Sequence, residues 1–219
     1  MTEETAKHLA QVETAIQKVK PLLAKHGYPD ELRNVLVIGF IDQMIEHHES
    51  MLLLIRNGKA GSAFALARSI FESMVRGMWI NLCATDAQIE KFEKKDELPL
   101  TMAEMTTAID TTTSDPSDPH QFFTNFKNNA WKHLCSYTHT GLLQLGRRFT
   151  GHNVEPAYRD AEIVEVTTSM TTCILLLVGR FLLTQKHRDE SKAAEALIET
   201  YGELTKQAAQ SSTATVATK

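Results

Sequence analysis

Apolar side chains recur every three or four residues along almost the whole chain, the spacing that places them on one face of an α-helix. No stretch of alternating apolar and polar residues is long enough to predict a β-strand. The pattern therefore predicts an all-α fold, with a polar loop and short helices inserted around residues 85–127. One helical domain is expected over residues 1–208, followed by a flexible, low-complexity tail at residues 209–219.

The longest predicted helices differ in how much of their surface is apolar. The first covers about residues 3–26, and Pro21 is expected to kink or divide it. The second starts near Asp30 and has one apolar stripe, which includes His48. The third, at residues 61–84, is apolar over more than half of its circumference, so it is expected at the centre of the fold.

The apolar run CILLLVGRFLL, residues 173–183, belongs to the last long helix, which Asp160 is expected to cap. The run is too short to cross a bilayer and contains Arg180, so it predicts a buried helix and no membrane contact. A final amphipathic helix is expected over residues 190–208.

The inserted region has its own start and stop signals. Thr85 with Gln88, and Thr101 with Glu104, have the spacing of capping boxes at the start of two short helices. The stretch DTTTSDPSDP, residues 110–119, is rich in Thr, Ser, Asp and Pro and is predicted to be a loop.

Composition and charge narrow the classes of function. A formal net charge of -4 argues against a broad surface that follows nucleic-acid phosphates, so any contact with RNA has to be local. The three cysteines, Cys83, Cys135 and Cys173, lie far apart, which indicates neither a disulfide framework nor a zinc knuckle. The acidic, amphipathic N-terminus MTEETAKHLAQVE is unlike a secretory signal. Together these features predict a cytoplasmic protein.

The first candidate site is a polar arc on the third predicted helix. Arg68, Glu72 and Arg76 follow one another at four-residue spacing and stack on one side. The same arc holds the small residues Ser69, Ser73 and Gly77. The arc is either a solvated face with intrahelical ion pairs or a helix–helix seam that binds an anion or positions another side chain. The absence of lysine between residues 59 and 91 favours the seam.

The second candidate site is the segment WKHLCSYTHTG, residues 131–141, which concentrates side chains that can carry chemistry. If residues 131–145 form one helix, a core-facing stripe contains Trp131, Leu134, Cys135, Thr138, Leu142 and Leu145. The opposite side contains His133, Tyr137, Thr140, Gln144 and Arg147, with Ser136 and His139 on the flank between the two. The segment is thus predicted to be partly core and partly a polar face.

Two kinds of chemistry are disfavoured at this segment. Cys135 and His139 are four residues apart and could reach one metal ion, but the second ligand pair of the known zinc signatures is absent. A nucleophilic role for Ser136 lacks the G-x-S-x-G elbow and the strand that would hold it. No metal and no cofactor are therefore predicted.

The segments GSAFALARSIFESMVRGMW and WKHLCSYTHTGLLQ together resemble an uncharacterised bacterial family of helical proteins that looks related to the HEPN superfamily. The resemblance covers roughly residues 30–185. It implies an antiparallel bundle of four to six long helices, commonly dimeric. The positions that match the characteristic polar residues of the family are Arg68, Glu72, Ser136, Tyr137 and His139.

Ribonucleases of the wider HEPN group have an arginine and a histidine separated by four to six residues. The resemblance implies that the arginine would stabilise phosphate charge while the histidine exchanges protons as the ribose 2′-hydroxyl attacks, without a metal. Two pairs have this spacing, Arg147 with His152 and Arg180 with His187. Arg180 interrupts an apolar run, so it needs a partner or access to solvent, and a structural role is expected for it.

Two hypotheses of function follow. The first is a dimeric binding or regulatory protein with a polar seam for an anion or a protein partner, formed by Arg68, Glu72, Arg76, Ser136, Tyr137 and His139. The alternative is a metal-independent ribonuclease effector of a bacterial toxin or phage-defence system, with Arg147 and His152 as its catalytic residues. The expected partners are a second copy of the chain and either another protein or RNA.

Overall fold

A computed structural model describes residues 1–114, 117 and 121–199 of the 219-residue chain. The elements are α1 (Glu3–Ala24), α2 (Leu32–Arg56), α3 (Ala60–Leu82), α4 (Asp86–Lys95), α5 (Met102–Thr113), α6 (Phe122–Thr138), α7 (Leu142–Gly146), β1 (Phe149–Thr150), β2 (Asn153–Val154), α8 (Asp160–Thr184) and α9 (188–199). The prediction of an all-α fold is confirmed, because the strands form a single two-residue antiparallel pairing within the described residues. The predicted tail at 209–219, and the part of the last predicted helix beyond residue 199, lie outside the described residues.

The predicted position of α3 at the centre of the fold is confirmed by its neighbours. It contacts α2, α5, α6 and α8, and its large apolar side chains Phe64, Phe71, Met74 and Trp79 are buried. Helix α3 approaches α8 closely at Gly77, where an added methyl group would lie 2.7 Å from a methyl carbon of Leu177. Close packing of this kind leaves little room for polar groups on these sides of α3.

Helix α8 is long and apolar enough to cross a membrane by length and composition alone. However, 67% of the most apolar 18-residue stretch of this helix is buried inside the bundle, as in the core helix of a soluble protein. Its length and composition are therefore weak evidence for a membrane span. The predicted burial of the run at 173–183 is confirmed, with residues such as Ile174 and Val178 inaccessible to solvent.

Three local expectations need correction. Pro21 does not divide α1, because it lies in the last turn, where its carbonyl accepts the N–H of Lys25 and the helix is about to end. Residues 110–113 are the last turn of α5 and not loop, and the hydroxyl of Thr113 donates to the Ile109 carbonyl. Asp160 is the first residue of α8, and its carboxylate accepts the Thr2 N–H and the Thr5 hydroxyl instead of capping its own helix. The two predicted capping boxes are confirmed.

A buried ladder of histidine and threonine side chains joins α8 to α1 and α2. The hydroxyl of Thr171 donates to the Thr167 carbonyl at 2.8 Å, so its oxygen accepts the Nε2–H of His48, also at 2.8 Å. The hydroxyl of Thr167 likewise donates to the Ile163 carbonyl, and His8 Nε2 lies 3.1 Å from it. His48 is fully buried, its Nδ1 has no partner among the described residues, and burial lowers its pKa to about 4.

Titration of His48 makes the stability of the protein depend on pH. The unfolded chain binds a proton at the ordinary pKa of 6.5 while the folded protein does not until about pH 4, so the free energy of unfolding falls as the pH is lowered through this window. The loss attributable to His48 is about 3 kcal/mol at pH 4. Burial also lowers the pKa of His8, which adds a loss in the same direction.

The substitution His48→Gln keeps an N–H donor for Thr171 but removes the titration. We expect this variant to lose less stability than wild type between pH 7 and pH 4.5, measured by urea unfolding at each pH. The exposed His152, changed to Gln, is the matched control and should keep the wild-type pH dependence. Equal pH dependence of the His48→Gln variant and wild type would contradict the assignment.

Candidate functional site

The polar seam is the contact between the Arg68, Glu72 and Arg76 side of α3 and the C-terminal half of α6. Arg68 is its central side chain: its Nε donates to a Glu72 carboxylate oxygen at 2.6 Å, and one of its terminal nitrogens donates to Nε2 of His139. Its guanidinium carbon also lies 5.0 Å from the centroid of the Trp131 ring, the arrangement of a cation–π contact. The structure thus brings Arg68, Glu72 and His139 together.

His139 is the acceptor in its contact with Arg68. Arginine has only donors, so Nε2 of His139 accepts this hydrogen bond. The side chains of Arg68 and Glu72 are only 21% and 19% exposed, whereas His139 is exposed at the helix end. The arginine is therefore held in a fixed position with an ionisable ring at its solvent side.

Positive charge exceeds negative charge in the seam. Glu72 is the carboxylate partner of both arginines, but its contact with Arg76 is long, at 3.4 Å, and Arg76 is 39% exposed. The Nε atom of Arg76 is buried and has no hydrogen-bond partner among the described residues. Arg76 is therefore the side chain of the seam with unused capacity to bind an anion.

Ser136 belongs to the turn that ends α6. Its hydroxyl oxygen accepts the Leu143 N–H at 3.1 Å, and its carbonyl accepts the Gly141 N–H at 2.8 Å. Thr140 adopts a left-handed conformation with φ of 53°, and a methyl group added at Gly141 would lie 3.0 Å from Ser136 Cα. The Ser-Tyr-Thr-His-Thr-Gly segment is thus a helix end built from local contacts.

Tyr137 packs away from the arginines. Its ring meets Phe64 edge to face at 5.2 Å and lies 6.5 Å from the ring of Tyr158. This contact anchors the C-terminal part of α6 to the start of α3, where Gln144 also donates to the Gly61 carbonyl at 3.4 Å. The structure therefore places Ser136 and Tyr137 beside the seam, in contacts that shape it.

The expectation of one helix across residues 131–145 is wrong. Helix α6 ends at Thr138 and the separate helix α7 starts at Leu142, because Thr140 takes a left-handed conformation that a continuous helix does not allow. Leu142 and Leu145 therefore leave the predicted core stripe, and they are 85% and 49% exposed. Leu134, of the same stripe, is buried as predicted.

The polar arc of α3 also divides between two neighbours. Ser73 is buried and its hydroxyl donates to the Gln43 side chain of α2 at 2.9 Å, and Gly77 faces α8. Arg68 contacts α6 through His139 and Trp131, and Glu72 and Arg76 follow it along α3 through ion pairs. Spacing of four and eight residues placed all of them on one arc, but it does not show which helix covers each part.

Comparison with known proteins gives one family. A model described as a family of unknown function, DUF6988, matches residues 41–213, which is more than half of the chain and includes both sides of the seam. The chain belongs to the DUF6988 family. No curated protein and no solved structure matches it at a significant level.

In this DUF6988 protein, Arg147 has a carboxylate partner. Its guanidinium donates to Glu162, which also accepts from Arg159 at 2.9 Å. Although partial burial opposes it, hydrogen bonds from the backbone and side chain of Arg159 and the charges of Arg147 and Arg159 lower the pKa of Glu162. His152 is exposed in the turn between β1 and β2. The ion pair ties the loop after α7 to α8, a role that the spacing of Arg147 and His152 did not predict.

In the second arginine–histidine pair, Arg180 and His187 have no contact in common. His187 stacks on His26 with ring centroids 3.7 Å apart, and a Glu190 oxygen lies 3.0 Å from His26 Nε2. Hydrogen bonds from Lys25 and His26 lower the pKa of Glu190 to about 2. Arg180 contacts none of these residues through a hydrogen bond or ion pair in the described part of the chain.

Spacing along the sequence gives no sign of the cluster of His26, His187 and Glu190, because its members come from opposite ends of the chain. Their ligand atoms lie within 4.8 Å of one another, close enough in type and distance for a metal ion. However, the two rings are stacked with only 12° between their planes, so their nitrogen lone pairs do not converge on one point. One ring would have to rotate before both could hold the same ion.

The two arginines of the seam should differ in their contribution to stability. We expect Arg68→Gln to lower the free energy of unfolding by about 2 kcal/mol, because it removes a charged hydrogen bond and a cation–π contact and leaves Glu72 poorly paired. The matched variant Arg76→Gln should cost less than about 1 kcal/mol, because the Arg76 side chain is more exposed and its contact is longer. Urea unfolding at pH 7 measures both, and equal losses would contradict the assigned roles.

Proposed function

We propose that this DUF6988 protein is a dimeric binding protein that holds an acidic group of a partner at its polar seam. The observation that carries the proposal is an exposed apolar ridge next to the seam, formed by Leu142, Leu143, Leu145, Phe149 and Val154. Contiguous exposed apolar surface of this kind is typical of protein interaction sites. The ridge follows directly on the helix end that positions His139.

The ridge consists of helix α7 and the β1–β2 hairpin. Leu142 and Leu145 are three residues apart on α7 and so share a side, with exposures of 85% and 49%. Phe149 and Val154 are register partners across the hairpin, which places both on the same face of the two strands, and they are 52% and 76% exposed. These side chains lose contact with water only if another molecule covers them.

A second copy of the chain is the occupant that the charges around the ridge favour. Arg148 and Glu155, both exposed, lie at the base of the hairpin, where the Glu155 N–H donates to the Arg148 carbonyl at 3.0 Å. In a two-fold symmetric contact, each residue meets its counterpart in the reverse order, so Arg148 of one copy can face Glu155 of the other. An apolar ridge with one exposed positive and one exposed negative residue beside it is therefore complementary to a second copy of itself.

The seam supplies the anion-binding part of the proposal. Arg68 and Arg76 share the carboxylate of Glu72, and Arg68 is already held by Glu72, His139 and Trp131. Arg76, whose side chain is 39% exposed and whose contact with Glu72 is long, at 3.4 Å, is the group that we assign to the incoming carboxylate or phosphate. Because Arg68 is held in a fixed position, it adds positive charge beside Arg76 and leaves Arg76 accessible to an anion.

We also retain the relationship to the HEPN superfamily as part of the proposal. It is supported by the all-α architecture and by the pairing of an Arg-x-x-x-Glu helix with a histidine at the end of a second helix. The ribonuclease alternative stays a prediction, since the guanidinium of Arg147 is occupied by Glu162. A cytoplasmic location is proposed on the three free cysteines, which suit a reducing compartment.

Dimerisation through the ridge is tested by adding charge where the side chains are most exposed. We expect wild type to sediment at twice the monomer mass, and the double variant Leu142→Glu with Val154→Glu to dissociate with a dissociation constant raised at least about tenfold. The control Leu53→Glu places the same charge at a 62% exposed leucine on α2 and should leave the dimer intact. A wild-type monomer, or a dimer unaffected by the double variant, would contradict the proposed interface.

Anion binding at the seam is tested with inorganic phosphate as the probe. We expect phosphate to shift the Nε–H resonance of Arg76 in NMR titrations, and Arg76→Gln to weaken binding about tenfold, equivalent to about 1.4 kcal/mol. Arg188→Gln is the control, because this exposed arginine of α9 forms no ion pair within the described residues and lies outside both the seam and the ridge. Equal weakening by both variants would show general charge attraction and overturn the assignment.

A further inference from the structure

A cavity of about 460 Å³ lies between the C-terminal end of α3 and the N-terminal end of α6. Arg68 and His139 are at the opposite ends of these two helices. The cavity lies where α3, α5, α6, α8 and α9 meet, and its volume is in the range of sites for small molecules. Its apolar walls are Met78, Phe122, Phe123, Leu175, Leu176, Leu183 and Ile198. The polar side chains that line it are Thr113, Arg180 and Glu195.

Arg180 has no charged partner among the described residues that line this cavity. It is half-buried, and within the described part of the chain it forms neither an ion pair nor a hydrogen bond through its side chain. By contrast, the half-buried guanidinium groups of Arg33, Arg68 and Arg147 all have carboxylate partners. A guanidinium surrounded by apolar side chains costs free energy unless an anion compensates its charge.

Glu195 does not supply that compensation. Its carboxylate lines the same cavity but is exposed, and it accepts a hydrogen bond from the Ser191 hydroxyl at 3.4 Å. Ser191 also donates to the Gly179 carbonyl at 3.0 Å, which fixes α9 against α8 beside Arg180. The cavity therefore presents one unpaired cation at its wall and a carboxylate at its exposed side.

We propose that the cavity binds a small monocarboxylate with an apolar body, such as a medium-chain fatty acid. The guanidinium of Arg180 offers two parallel N–H groups to the carboxylate, and the apolar walls cover the hydrocarbon part. The proposal answers why an arginine interrupts the most apolar segment of the chain, CILLLVGRFLL. It does not depend on the seam, because none of the seam residues lines the cavity.

The probe is octanoate, titrated into the full chain by isothermal calorimetry. We expect octanoate to bind and the uncharged octanol and the cationic octylamine to bind at least about tenfold more weakly, because they lack the carboxylate that pairs with Arg180. Shortening the acid should weaken binding about fourfold for each methylene group lost. The affinity for the α-amino acid 2-aminooctanoate is measured as well. Tighter binding than octanoate would show that the ligand's ammonium group pairs with Glu195, and weaker binding would indicate a simple fatty acid.

Two matched variants decide whether Arg180 is the binding group. Arg180→Gln should weaken octanoate binding at least about tenfold and leave the melting temperature without ligand unchanged or higher, since an uncompensated charge is removed. Arg188→Gln changes an exposed arginine outside the cavity and should bind octanoate like wild type. The absence of octanoate binding to wild type, equal binding by Arg180→Gln, or a melting temperature lowered by several degrees in that variant would each overturn the proposal.

Discussion

Helix α3 is stable only where nearly all of its surface is covered, because apolar side chains surround more than half of its circumference. Helices α2, α5, α6 and α8 pack around it, and residues such as Phe71 and Val75 are inaccessible to solvent. The ion pair of Arg68 and Glu72 lies on the side that meets α6, whereas the buried Ser73 donates to Gln43 of α2. The position of the seam therefore follows from the burial of α3: Arg68 and Glu72 lie opposite α6 because the other directions are filled by apolar contacts.

Features that depend on neighbouring residues in the sequence were predictable. The two capping boxes and the Arg68–Glu72 ion pair join side chains three or four residues apart, so spacing alone indicates them. The helix across residues 131–145 was predicted wrongly for the same reason, since apolar periodicity continues through Gly141 while the backbone turns there. The Thr-Gly pair at the break was the available signal of a helix end.

Features that join distant segments needed the structure. The contact of Arg68 with Trp131 depends on how α6 crosses α3, and the stacking of His26 on His187 depends on where α1 and α9 meet. Spacing shows neither crossing. The resemblance did associate Arg68 with His139, but it gave no reason for it; the structure provides one, since the histidine accepts a hydrogen bond from a side chain that Glu72 already orients.

The arginines of this protein differ in how far a nearby carboxylate neutralises their charge. Helix α6 lies near Arg76 and Arg180, whose charges are the least neutralised. Arg147 is paired with Glu162, Arg76 shares Glu72, and Arg180 has no partner in the described part of the chain. Helix α6 forms a wall both of the seam and of the cavity, yet only Phe123 and Leu134 among its described residues are buried.

Polar contacts therefore contribute much of the attachment of α6. Asp110 accepts the N–H groups of Phe123 and Thr124 at the start of the helix, and Arg68 donates to His139 at its end. Hydrogen bonds at partly exposed helix ends stabilise by about 1 kcal/mol each, less than the burial of a large apolar side chain. A ligand that competes for Arg68 or packs against Phe123 therefore acts on a helix whose two ends are held by a few polar contacts.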